Sequence, residues 1–325
     1  MLLNNQRGCN KIMTENTSSD SMFHKMVLIS NLYYKEKLSQ QQIAKKLNIS
    51  RPWVSKLLSR AEELGIVKIE VLSPFTNNVD MENALIKKYN LKYAGVIQNH
   101  SPSSDNVAFA AANYFISELR TKDIVGVGWG KSVSRLISKT PAVYFPEVQL
   151  IPLSGSFGNT LSVLPNYNTI QLAERINGIA KVFHTPMVCS QEEYRTFMVN
   201  KRTQAFLQMA EHANIILLGI GVFETSIVPQ YGILEPNEIE ELKQKNALGD
   251  VGLKYFDKYG NVVETEKTKL LIKADIIKAS KNARTVIGIA EGLNKVNIID
   301  VALSLNLFHA FFTDEQTASA LLDVK

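Results

Sequence analysis

Apolar residues recur at three- and four-residue intervals near the start of the chain, then give way to short continuous runs from about residue 80 onward. Between Met22 and Lys37, the residues Met26, Ile29, Leu32 and Tyr33 fall on one helical face, which predicts a first amphipathic helix. A second helix begins after Ser39, whose hydroxyl can cap it while Gln42, three residues on, reaches back to the cap's own N–H. Ile43, Ala44 and Leu47 then face inward, and Asn48 and Ile49 form a tight turn. Ser50 caps a third helix, Pro52 sits where a missing N–H is harmless, and Gly65 stops the helix just past Leu64. Val54, Leu57, Leu58 and Ala61 make its inward stripe, which leaves Arg51, Trp53, Ser55, Lys56, Ser59 and Arg60 on the other faces. Ile66 to Leu72 alternates loosely as a strand and is expected to form a wing.

From Asp80 the pattern predicts strands at Ala94 to Ile97, Ile124 to Val127, Val148 to Leu153, Ile215 to Leu218, Val286 to Ile289 and Ala310 to Phe312, with helices between them. Such alternation is the signature of a parallel sheet covered on both faces. The longest apolar run, Ile215 to Phe223, is far short of the ~20 residues of a membrane helix, so no membrane span is expected. The first 21 residues mix Asn, Ser and Thr with Arg7 and Lys11 and lack the apolar centre of a signal peptide, as a flexible tail would. The organisation expected is therefore a tail at 1–21, a helix-turn-helix domain at 22–73, and a larger parallel-sheet α/β domain at 80–325.

With 325 residues, 45% of them hydrophobic and 21% charged, the chain can bury a sizeable core, which argues against wholesale disorder. The net charge of +5 is mild, but its placement is informative. Lys25 to Glu70 holds nine Lys or Arg against four acidic residues, an excess equal to that of the whole chain. A basic helical hairpin can be merely a solvated face; two capped helices, a tight turn and guanidinium and hydroxyl groups on one exposed side favour double-stranded DNA as partner. In a major groove Arg pairs with guanine in bidentate fashion, Ser bonds bases or phosphates, and Lys supplies phosphate charge. Trp53 has two readings, contact with a thymine methyl or the sugar backbone, and packing against the first helix. The two cysteines, Cys9 and Cys189, have no spacing that suggests a disulfide framework or metal cluster, so a reducing, cytoplasmic setting with no metal and no cofactor is expected.

In a parallel sheet, ligands gather where strand ends meet loops and helix N-termini. Ile124-Val-Gly-Val-Gly-Trp-Gly-Lys-Ser132 runs from a strand into a helix; Gly128 and Gly130 allow close approach, and the N–H groups of Lys131 to Val133, with the Lys131 ammonium, can face an anion. Three residues rather than four separate Gly126 from the Gly130-Lys131 pair, so this is no Walker A loop, and ATP is disfavoured; a plain strand-to-helix turn is the other reading. Leu153-Ser-Gly-Ser-Phe-Gly158 also follows a strand. Its Ser154 and Ser156 can hydrogen-bond a sugar, and the absence of lysine there argues for noncovalent binding. Asp250 can accept sugar hydroxyls, and Lys295, at a helix start, either binds phosphate or carboxylate or faces solvent.

Leu-Tyr-Tyr at 32–34, Ser-Gln-Gln-Gln-Ile-Ala at 39–44 and Ile-Ser-Arg-Pro-Trp-Val-Ser-Lys-Leu-Leu at 49–58 resemble the SorC family of sugar-responsive regulators. The resemblance extends from about Met22 to Leu322 and is closest to the deoxyribonucleoside-regulator branch. It implies an α/β fold: an N-terminal (winged) helix-turn-helix domain plus a Rossmann-like parallel-sheet effector domain of the sugar-phosphate isomerase type, turned to sensing. It implies DNA contact by Ser39, Gln40, Ser50, Arg51, Trp53, Ser55, Lys56 and Arg60. The implied effector site comprises Gly128, Trp129, Gly130, Lys131 and Ser132, then Leu153, Ser154, Gly155 and Ser156, with Asp250 and Lys295. The family usually has Thr at the position of Trp53, and often Gly at that of Glu291, which implies a smaller or more acidic pocket beside Lys295.

The competing class is a sugar-phosphate isomerase or deaminase with a DNA-binding arm. Such chemistry needs a paired acid and base near the sugar carbons, and five scattered histidines (24, 100, 184, 212 and 309) supply no such pair. A constitutive architectural DNA binder would leave the large α/β domain without a role. The sequence therefore favours a homo-oligomeric regulator, dimer or tetramer, controlled by a small effector such as a sugar phosphate.

Overall fold

The computed structural model describes residues 22–67, 78–98, 105–157, 164–225, 228 and 231–324. They fall into two compact units, one within residues 1–72 and one within 73–325.

In the first unit, helix α1 covers residues 22–30 and runs directly into a π-helical turn at Asn31–Lys35. The apolar spacing does not distinguish this wider turn from the α-helix it predicts; the turn places Leu32 in the core and brings the Tyr34 hydroxyl within 2.6 Å of Glu62 Oε1, to which it donates. Helix α2, Gln40–Leu47, has the capping box expected from Ser39 and Gln42: the Gln42 N–H donates to Ser39 Oγ at 3.3 Å and the Ser39 N–H to Gln42 Oε1 at 2.9 Å. Asn48 ends it in the left-handed region at φ 53°, a conformation that asparagine tolerates well. Helix α3, Arg51–Glu63, starts with the Trp53 N–H on Ser50 Oγ at 3.3 Å. Met26, Ile29, Leu32, Ile43, Val54, Leu57, Leu58 and Ala61 form the core shared by the three helices, with Ile66 and Val67 packed on it. Residues 68–72 of the expected wing and the expected tail at 1–21 lie outside the described residues.

The second unit begins with α4 (Val79–Tyr89) and β1 (Tyr93–Ile97). It continues through α5 (Asn106–Glu118), β2 (Ile124–Val127), α6 (Lys131–Lys139), β3 (Gln149–Pro152), α7 (Pro165–Ile176) and β4 (Ile179–Ala180). After α8 (Gln191–Val199) and α9 (Lys201–Glu211) come β5 (Ile215–Gly221) and α10 (Pro236–Gln244). A small antiparallel ribbon follows, β6 (Gly249–Val251), β7 (Lys254–Phe256) and β8 (Val262–Val263). The last elements are α11 (Glu266–Lys269), α12 (Ile276–Asn282), β9 (Thr285–Ile289), α13 (Val296–Ser304), β10 (Ala310–Asp314) and α14 (Glu315–Asp323).

The main sheet is parallel, in the order β1-β10-β9-β5-β2-β3-β4. Its strands read as unbroken apolar runs because both faces are buried. Ile215 and Leu217 of β5 point into a core formed with α5, α6 and α7, whereas Ile216 and Leu218 point into the opposite core with α4, α9, α12, α13 and α14. The chain steps from β2 to β3 to β4 in one direction and then returns to lay β5 on the other side of β2. Connections leaving β2 and β5 therefore part, and a crevice opens at their C-terminal ends, where ligands bind in open α/β sheets.

The strand β5 runs three residues beyond the predicted Leu218, through Gly219–Gly221, and its last residues pair antiparallel with β6, Gly221 opposite Asp250. Glycine leaves room there for the Asp250 carboxylate, which a Cβ on Gly221 would displace.

Candidate functional site

On α3, Arg51, Trp53, Ser55, Lys56, Ser59 and Arg60 are all exposed, while Val54, Leu57, Leu58 and Ala61 are buried. Trp53 lies outside the helical core, 37% exposed, and the Lys56 ammonium sits 5.6 Å from the centre of its ring. Ser39 and Ser50 spend their hydroxyls as helix caps, and Gln40 is half-buried at the start of α2. Two acidic neighbours are engaged elsewhere: Glu62 with Tyr34, whose hydroxyl is thereby pushed up to about 12, and Glu36 with Lys46 at 3.5 Å. The outer face of α3 presents the cations Arg51, Lys56 and Arg60, the hydroxyls of Ser55 and Ser59 and one aromatic ring, the set a major groove accommodates.

In the second unit a cavity of about 300 Å3 occupies the crevice between β2 and β5. Its walls come from residues 129–132 and Arg135, residues 218–221, Thr225 and Val228, Asp250 and Gly252, and Glu291, Asn294 and Lys295. The loop after β2 is drawn tight: the Gly128 N–H donates to the Leu217 carbonyl at 2.9 Å, and a Cβ at Gly128 would come within 2.6 Å of that oxygen. Buried Asn168 of α7 donates to the Gly128 carbonyl from behind, at 3.4 Å. Gly130, at φ +98°, then turns the chain into α6 in a conformation that suits glycine alone. The first intrahelical bond runs from Ser134 N to Gly130 O, so the N–H groups of Lys131, Ser132 and Val133 are the helix's open first-turn donors.

Arg135, one turn further along α6, pairs with Asp105 (Nε to Oδ1, 3.0 Å) and with Glu291 (Nη2 to Oε1, 3.4 Å). Burial lowers the pKa of Lys295, against which the nearby Glu291 and Asp250 favour its charged form. Burial raises the Asp250 carboxyl, opposed by the Leu253 N–H that donates to Oδ2 at 2.8 Å and by the positive Lys273 and Lys295. Charges of both signs thus share a partly desolvated space, where each interaction is stronger than in water.

The fold brings Trp129, Gly130, Lys131, Ser132, Asp250 and Lys295 to this one cavity; Gly128 does not line it but is held against Leu217 just before Trp129. Leu153–Ser156 does not line it. Past β3 the chain is tied into neighbouring backbone instead: Gly155 N–H to Ile272 O, Ser156 N–H to Thr185 O and Met187 N–H to Ser156 O, at 2.8–2.9 Å. The Ser154 hydroxyl is buried there without a hydrogen-bond partner. Gly158, at the end of that loop, lies outside the described residues. Sequence reasoning missed Arg135, although it stands four residues after Lys131 on the same helical face. It also missed Gly219 and Gly221, which close the Ile215 run, whereas Thr225 and Asn294 carry no local signal at all.

Of the histidines, His309 is half-buried with its Nδ1 accepting from the Val286 N–H at 3.1 Å, a structural role, and burial lowers its pKa. Among the described residues no helix is long and apolar enough to cross a membrane.

A capped helix-turn-helix with a basic outer face, on one chain with a parallel α/β unit holding a charged cavity at its crossover, defines a DNA-binding transcriptional regulator with a sensor domain. Residues 73–323 match the family model for the Sugar-bind sugar-binding domain, and residues 25–63 match Sigma-70, region 4. The chain belongs to this sugar-binding family, among regulators of the SorC type. It is similar to the deoxyribonucleoside regulator of Bacillus subtilis, with 29% identity over 90% of this chain and 96% of that one. It is also similar to the erythritol catabolism regulatory protein EryD of Brucella abortus, at 25% identity over 90% and 94%. The crystal structure of the full-length sorbitol operon regulator SorC from Klebsiella pneumoniae superposes with a TM-score of 0.75 at 26% identity, covering 92% of this chain and 98% of that one.

Proposed function

We propose that this regulator binds double-stranded operator DNA through the outer face of α3 and is controlled by a phosphorylated sugar held in the cavity between β2 and β5. The observation that carries the effector assignment is the convergence of Lys131, Arg135, Lys295 and the open first turn of α6 on one cavity that also holds Asp250. Cations and first-turn N–H groups suit phosphate, and a carboxylate accepts sugar hydroxyls. Leu153–Ser156 acts behind this wall, fixing the end of β3. Reversible binding of this kind makes the chain a sensor rather than an enzyme. It works in the cytoplasm as a homo-oligomer, because the single 13-residue recognition helix reaches one half-site and paired half-sites multiply its contacts.

Calorimetric titration with sugar phosphates and their unphosphorylated parents tests the effector. Lys131→Ala and Lys295→Ala should each weaken the phosphorylated ligand more than its parent, since charge-assisted bonds contribute more than neutral ones. Asp250→Ala should weaken both. Tight binding of a free sugar or polyol whose phosphate does not bind would overturn the phosphate assignment and leave the regulator reading in place.

A further inference from the structure

The charges around the cavity do not all favour an anion. Among the described lining residues, Lys131, Arg135 and Lys295 attract one, whereas Asp250 and Glu291 repel it, a side-chain balance of +1. Asp250 belongs to β6, but Glu291 stands among the cations themselves, with Oε1 3.4 Å from Arg135 Nη2. It is also the stronger of the two acidic influences that keep Lys295 charged against burial. Its placement is built into the backbone. The next residue, Gly292, turns at φ +111°, and its N–H donates to Thr317 Oγ1 at 2.8 Å and Asp314 Oδ2 at 3.2 Å, which pins the chain where β9 gives way to the turn Leu293–Lys295. Arg135 is meanwhile shared with Asp105, which in turn pairs with Lys139 at 3.0 Å. Part of the cavity's positive charge is therefore matched before any ligand arrives.

We infer that Glu291 limits the negative charge the cavity accepts, selecting a sugar with one phosphate ester and rejecting one with two. The inference rests on the phosphorylated-sugar reading above. One phosphate ester carries about −1.5 to −2 at neutral pH, which the remaining positive charge and the first turn of α6 can match. A second ester adds the same charge again beside Asp250 and Glu291, and no further cation among the described lining residues offsets it. In a partly desolvated site such like-charge contact costs more than in water.

The test is calorimetry on the full-length protein with matched probes, a pentose 5-phosphate against the 1,5-bisphosphate and a hexose 6-phosphate against the 1,6-bisphosphate. Wild type should prefer the monophosphate by about tenfold or more, the scale of one partly screened charge contact. Glu291→Gln keeps the shape but removes the charge; it should erase most of that preference by strengthening bisphosphate binding more than monophosphate binding. Glu291→Asp, which keeps the charge, should retain the preference. An unchanged mono- to bisphosphate ratio in Glu291→Gln, or a wild-type preference for the bisphosphate, overturns the role of Glu291 and leaves the phosphate reading standing. If parent sugars bind while no phosphorylated probe binds either protein, both fall together.

Discussion

Lys273 lies largely buried beneath the turn between β6 and β7, where its ammonium donates to the Leu253 carbonyl. Asp250 accepts from the N–H of the same Leu253, so the two side chains grip one turn, whose Gly252 lines the cavity. Burial, with a smaller push from Lys254, lowers Lys273 from 10.5 to about 8, against the pull of Asp250, Glu264 and Asp275. The sign of the consequence follows from proton counts. Below pH 8 the lysine is charged in both folded and unfolded chains and the burial penalty is fully present; between about 8 and 10.5 the unfolded chain binds the extra proton, so this group's contribution to stability rises with pH. The slope is at most about 1.4 kcal/mol per pH unit. Urea unfolding of wild type and Lys273→Met from pH 7 to 10 should show that slope in the difference between the two proteins; parallel curves would contradict it. At this scale the sequence showed residue types better than positions. Asp250 rested on its residue type and the family resemblance, since the short ribbon that holds it leaves no pattern, whereas Lys295 was legible because it stands at a helix start. The hidden hydroxyl of Ser154 was not, since the backbone bonds that carry its loop away from the cavity come from residues 185–187 and 272, far along the chain.

Elements carried stronger signals, because caps and stripes are local. Ser39 with Gln42, Ser50, Asn48 and the α3 stripe each stand where the spacing requires, and the six parallel strands foreseen all form, with ends shifted by a few residues. What the sequence did not show are features decided by partners distant in the chain. The π-turn at Asn31–Lys35 accompanies the Tyr34–Glu62 bond, and the ribbon β6–β8 has strands of only three, three and two residues, too short for a periodicity. Two outcomes follow for α3. Ser50→Ala should destabilise the first unit by about 1 kcal/mol, seen as a lower unfolding midpoint. Arg51→Ala should cost about 1–3 kcal/mol in operator affinity and relax preference at one base position, while Lys56→Ala should lower the salt dependence by about one ion. Operator titrations across salt concentrations separate the two, and wild-type behaviour in both variants would remove α3 from the groove.

For the molecule as a whole, control requires that effector and operator each change the affinity for the other by the same factor. Assembly is part of that scheme: the full-length chain should sediment as a dimer or tetramer at micromolar concentration and protect a pseudo-palindromic site, with half-sites near whole helical turns apart. A monomer there would count against paired half-sites. The chain holds two tryptophans, Trp53 and Trp129, and the fold assigns one to each unit. Trp53 is exposed on α3 beside Lys56, whereas Trp129 lines the cavity half-buried, its ring edge-on to Phe157 at 5.2 Å. The protein is thereby its own two-channel optical probe. Trp129 should emit at shorter wavelength and respond to effector, and Trp53 should be quenched by soluble iodide until operator covers it. In Trp53→Phe the effector response should persist without the iodide-sensitive component. In Trp129→Phe the remaining emission should follow operator, and effector should move it only by changing how much operator is bound.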